Sequence, residues 1–144
     1  MPFGKTVLGK ITLVFMLPLI LLFSDHPVTA ADPDKCDVHN AACMANLPES
    51  KITLDITPKP VRAMKDLTFR LEIFGKQPDQ LPHIDLGMPG MKMGPNRVTM
   101  EMDKQGVYKG RGVIVRCPSG KRTWKADVAL PGLGTVQFIF DVIY

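Results

Sequence analysis

Histidine, cysteine and tryptophan are scarce in this 144-residue chain, which holds three, three and one of them. Beyond Ala30 only His39 and His83 remain, and neither stands in a recognisable nucleophile–base arrangement. The common acyl-transfer triads need a base poised next to a serine or cysteine, so that chemistry is not expected. Helical periodicity is missing after Ser24. Without a helix, no glycine loop can present a phosphate to a helix N-terminus. Acidic residues are mostly single and alternate along strand-like runs, where solvated charge explains them. The chain reads as a non-enzymatic protein.

Charge of one sign is thin as well. The formal net charge of +4 is diffuse apart from a group at Lys109, Arg111, Arg116, Lys121 and Arg122. Nucleic acid is therefore not an expected partner, because phosphate backbones call for a concentrated basic surface. The basic group reads as a solvated strand face, with contact to acidic lipid or an acidic partner surface as its other role.

No uncharged apolar run reaches the roughly 20 residues of a spanning helix. The longest extends from Ile11 to Ser24 and is interrupted by Pro18. Lys5 and Lys10 precede it and Val28-Thr29-Ala30 follows, which is the basic, apolar, small-residue order of a secretory signal. Residues 1–30 are read as a signal peptide and Ala31 as the first mature residue, with an uncleaved N-terminal anchor as the alternative. That anchor would be the membrane link. The expected location is outside the cytoplasm, in the periplasm or cell envelope.

Cys36, Cys43 and Cys117 suit an oxidising compartment. An odd count allows at most one intramolecular pair. Cys36 and Cys43 can close a local loop, or either can reach Cys117 and pin the N-terminal segment to the domain. The leftover thiol would be structural, a metal ligand or a redox handle.

Residues 31–50 show little periodicity and are expected to cap the domain irregularly. From residue 51 onward, alternation of period two dominates, the signature of half-buried strands. Ile52, Leu54 and Ile56 give one strand, and Leu67, Phe69, Leu71 and Ile73 another. Val98, Met100 and Met102 give a third, which would place both methionines in the core. "GVYKGRGVIV" from Gly106, then Trp124 to Val128, then Val136 to Val142 complete the set. Turn signals "TPKP", "GKQPD", "MDKQG", "CPSG" and "LPGLG" separate them. About seven strands at this spacing predict an all-β, immunoglobulin-like antiparallel sandwich over residues 51–144. Tyr108 and Trp124 read as core aromatics, with Gly110 and Gly112 making room for rings on a facing strand.

Methionine, by contrast, is abundant, with nine in the chain and three of them at Met88, Met91 and Met93. They lie in "DLGMPGMKMGP", where Pro89, Gly90, Gly94 and Pro95 disfavour regular structure. A Pro-Gly pair sets a turn that can bring Met88 and Met91 together. Met91 and Met93 share a face if that stretch is extended. His83 adds an imidazole nitrogen five residues before Met88. Thioethers with imidazole select Cu(I) over harder ions, so Met88, Met91, Met93 and His83 are the candidate metal ligands. The competing reading makes the same methionines gap-fillers or an adaptable docking surface.

"ITLDITPKPVRAMKDLTFRLEI", "IDLGMPGMKMGPNRVTMEMDKQGVYKGRGV" and "GKRTWKADV" resemble the YtkA-like domain family, and more loosely FixH-type proteins. The resemblance rests on Pro58 and Pro60, Met88 to Met91, Gly106 with Tyr108, and Gly120 with Trp124. It implies an extracytoplasmic immunoglobulin-like sandwich associated with metal efflux or copper handling. Its partner would be a metal-transport or other envelope-complex protein. Met88, Met91 and Met93 are the positions carried over as ligands. The cysteines and the segment "CDVHNAAC" stand outside the family pattern. Two functions follow as expectations: a copper-binding or copper-handling protein, or a metal-free accessory module whose Met-rich loop packs or docks.

Overall fold

The computed structural model describes residues 35–144. The expected signal peptide and its cleavage site lie outside the described residues. The strands are β1 (Cys43–Leu47), β2 (Ser50–Thr57), β3 (Asp66–Gly75), β4 (His83–Gly87), β5 (Arg97–Thr99), β6 (Glu101–Met102), β7 (Tyr108–Val113), β8 (Thr123–Leu130) and β9 (Gly134–Asp141). One sheet has the order β1-β2-β3-β7-β6 and the other β5-β4-β8-β9. Every pairing within them is antiparallel. The chain is an all-β sandwich, as the alternation predicts.

Inward positions come from the apolar phase of each strand. Ile52, Leu54 and Ile56 of β2 face Ile84 and Leu86 of β4 and Trp124, Ala126 and Val128 of β8 across one continuous core. Phe69 and Phe140 are fully buried there. Burying side chains of this size contributes about 1.5–3 kcal/mol each before entropy is counted.

Both lateral sides of the sandwich are closed by a segment that changes sheet. On one side β5 pairs with β4, Met100 is fully buried at the crossing, and β6 pairs with β7 in the other sheet. The crossing needs glycine beneath it. A Cβ at Gly110 would stand 2.7 Å from Met100 Sδ, and one at Gly112 would stand 2.6 Å from Val98 Cγ2. These glycines thus admit the crossing strand and, at Gly112, the Phe69 ring on the neighbouring β3, rather than Tyr108 or Trp124. The sheet change also turns Met102 outward, which corrects its expected place in the core.

On the other side Cys36 N–H donates to Ile139 O of β9 at 2.8 Å, the chain turns, and β1 joins β2. Cys36 and Cys43 form a disulfide across this switch, and Cys117 remains a buried free thiol. The segment expected to be irregular therefore contains a strand, because Cys43, Ala45 and Leu47 alternate toward the core with side chains too small to stand out in the sequence. Such closures leave little free edge for unwanted strand pairing.

Candidate functional site

The Met-rich segment begins as a strand. Ile84, Leu86 and Met88 occupy the inward phase of β4 and its continuation, and Met88 is 1% exposed. His83, Asp85 and Gly87 occupy the outward phase. Successive strand residues face opposite sides, so His83 and Met88 are separated by the sheet itself. They are also about 17 Å apart along it, at ~3.4 Å per residue. Met88 and His83 cannot meet at one metal ion, and the four-donor set expected from the sequence does not assemble.

After Met88 the chain reverses. Pro89 and Gly90 occupy the centre of a turn in which Met91 N–H donates to Met88 O at 3.1 Å. Gly90 has φ +70°, as the third residue of a type II turn requires. The backbones of Met88 and Met91 meet, as the Pro-Gly pair predicts, but their side chains part. Met91 is 36% exposed, and Met93 is half-buried and packs against the core. Leu86 N–H donates to Asn96 O at 2.8 Å, and the Asn96 amide donates to Val113 O at 3.0 Å. The loop is thereby tied at its far end to both sheets.

Met91 and Met93 line an open groove of about 450 Å³ on the outer face of β4 and β8. Its floor is polar. Lys125 lies across Gly87, where an added Cβ would touch Lys125 Cε at 3.4 Å. The same ammonium pairs with Asp127 Oδ2 at 2.6 Å, and the Gln137 amide donates to Asp127 Oδ1 at 2.6 Å. Arg97 closes the rim with a two-point fork onto Asp85, Nε to Oδ1 at 2.7 Å and Nη2 to Oδ2 at 2.9 Å. The Arg97 hydrogen bonds hold the Asp85 carboxyl below its usual range, and Asp85 in turn raises Arg97. His83 Nε2 stands 3.6 Å from Asp85 Oδ2, at the edge of this network.

Asp85, Arg97, Lys125 and Asp127 were not among the candidates from sequence. Their signal was the polar phase of three strands, β4, β5 and β8, whose pairing brings them together. Of the candidates, the structure unites Met91 and Met93 alone. His39 is structural, since its Nδ1 accepts the Val61 N–H at 3.1 Å. Cys117 Sγ lies 3.0 Å from Ser119 Oγ. Among the described residues no three of His, Cys, Asp and Glu gather in a way that could hold a metal ion. Comparison of the chain with family models, curated proteins and solved structures finds no match.

Proposed function

We propose that the chain is an exported, non-catalytic accessory module of the cell envelope, and that the groove beside Met91 and Met93 is its docking surface. The observation that carries this reading is the division of the methionines. Met88 belongs to the core, while Met91, 36% exposed, and half-buried Met93 line an open groove together with charged side chains of both signs. Methionine adapts its shape to varied partners, and fixed pairs such as Asp85–Arg97 supply register around it. The chemistry fits a partner protein that offers an apolar side chain flanked by polar groups.

Export is supported by the basic, apolar and small-residue order of residues 1–30 and by the Cys36–Cys43 disulfide, since such bonds persist in oxidising compartments. The resemblance to the YtkA-like family points to the same setting. A photo-reactive residue in place of exposed Lys92 tests the reading in the native envelope. It should yield one discrete adduct that Met91→Asp abolishes. A smear of adducts indifferent to that change would overturn the proposal.

A second reading is Cu(I) held by Met91 and Met93 together, favoured by the one observation that both line the same groove. It lacks the third thioether and the imidazole that the sequence suggested.

A further inference from the structure

One end of the sandwich gathers the loops that follow β2, β4 and β7, together with residues 142–144, because antiparallel pairing brings these strand ends together. Two of these loops are laced to each other. Met64 N–H donates to Ile114 O at 2.8 Å, and Ala63 N–H donates to Ile143 O at 2.9 Å. The joined surface carries Arg62, Lys65, Arg116, Lys121 and Arg122, all exposed. None of the five has an ion-pair partner among the described residues, whereas nearby Lys35, Lys59, Arg97 and Lys125 are each paired with an aspartate. Asp66 also stands exposed on this end.

Tyr144 organises the cations. Its hydroxyl donates to Lys121 O and accepts the Cys117 N–H at 3.2 Å. Its ring carries the guanidinium carbons of Arg116 and Arg122 at 5.6 and 6.0 Å from the centroid. Among these charges stand two bare apolar side chains, Met64 at 63% exposure and Val115 at 41%. Met64 has φ +59°, a left-handed conformation uncommon outside glycine, and its hydrogen bond to Ile114 holds it there.

We propose that the part of this end formed by Arg62, Met64, Lys65, Val115, Arg116, Lys121 and Arg122 is a membrane-docking face for anionic phospholipid; the Met91–Met93 loop leaves the same end of the sandwich and is not part of the face proposed. Three of the five cations are arginine, which protein interfaces also favour, so the balance of charge and apolar surface decides: two apolar residues among five cations are too few for the apolar core of a protein interface. At a bilayer surface the same mixture is favourable. Apolar tips enter the headgroup boundary while ammonium and guanidinium groups stay hydrated beside lipid phosphates.

Residues 35–144 close both sheets, the disulfide and the core on themselves, so this segment folds as a unit and is the one to test, with cooperative thermal unfolding as the check. Its binding is measured to vesicles of phosphatidylcholine alone and to vesicles with phosphatidylglycerol added. Binding is expected only to the anionic vesicles and should weaken steeply with salt. Arg116→Gln, Lys121→Gln and Arg122→Gln together should lower it about 100-fold, at about fivefold per cation. Met64→Gln with Val115→Gln should weaken it while leaving the salt dependence unchanged. Equal binding to both vesicle types, or no effect of the triple variant, would overturn the proposal. Capture on polyglutamate without vesicle binding would assign the face to an acidic protein and overturn the lipid reading.

Discussion

His83 on β4 and Met88 on its continuation lie five residues apart and face opposite sides of the sheet. That relationship decides how the Met-rich segment can work, because it removes one thioether and the imidazole from any shared coordination sphere. What remains accessible is the pair Met91 and Met93 over a floor of ion pairs.

The two kinds of methionine should separate in unfolding experiments. Met88→Ala empties part of a packed core and is expected to cost about 2–5 kcal/mol. Met91→Ala removes a solvated side chain and should stay within about 0.5 kcal/mol. Urea denaturation midpoints of the two variants check this. Equal costs would mean that Met88 is not the core residue described.

The strands were legible where alternation is strong, and obscure where it is weak or changes meaning. β2, β3, β8 and β9 announce themselves through large apolar residues at every second position. β1 offers Cys43, Ala45 and Leu47 before Pro48, too small a contrast to register. β4 shows only Ile84 and Leu86 before the turn residues begin, too short a run to declare its phase. That phase would have placed Met88 inside and His83 outside. Residues 98–102 alternate without a break, yet the sheet change after Met100 sends Met102 outward. Nothing in the sequence itself marks that crossing except the two glycines across from it.

Gly110→Ala tests the crossing directly. The added methyl would press first on the backbone oxygen of Thr99, then on Met100 Sδ and Val98 Cγ1, each 2.7 Å away, so the crossing backbone itself must shift and the overpacking costs about 3 kcal/mol or more. Gly94→Ala, where an added Cβ meets nothing within 4 Å, is the control and should be nearly neutral. Thermal unfolding of both variants gives the comparison.

Removing the staple should loosen one lateral closure. Closing the short loop from Cys36 to Cys43 stabilises by about 2 kcal/mol in the chain-entropy account. Cys36→Ser with Cys43→Ser should lower stability by roughly that amount. Amide exchange in β1 should rise well before exchange in β2 does. Uniform loosening of all strands would contradict the local role assigned to the bridge.

Asp103, in the turn between β6 and β7, should contribute to acid sensitivity beside Asp85 and Asp141, whose carboxyls are also held low. The Lys109 ammonium, then the N–H groups of Val107 and Gln105, hold the Asp103 carboxyl down to about 2 from an ordinary 3.8. A depressed folded value means that its contribution is complete above the unfolded value and fades as pH falls from about 4 toward about 2. Asp103→Asn should flatten the fall of the urea midpoint in that window and leave the neutral range parallel to the parent. An unchanged acid limb would show that other carboxylates carry it.

The division of labour at the Met-rich segment is tested most directly by an anaerobic Cu(I) competition titration with the Cys117 thiol blocked. The docking account predicts no stoichiometric binding, and no difference between the parent and a Met91→Leu, Met93→Leu variant. One equivalent of tightly held Cu(I), lost in that variant while the fold persists, would contradict it and make the pair a metal site.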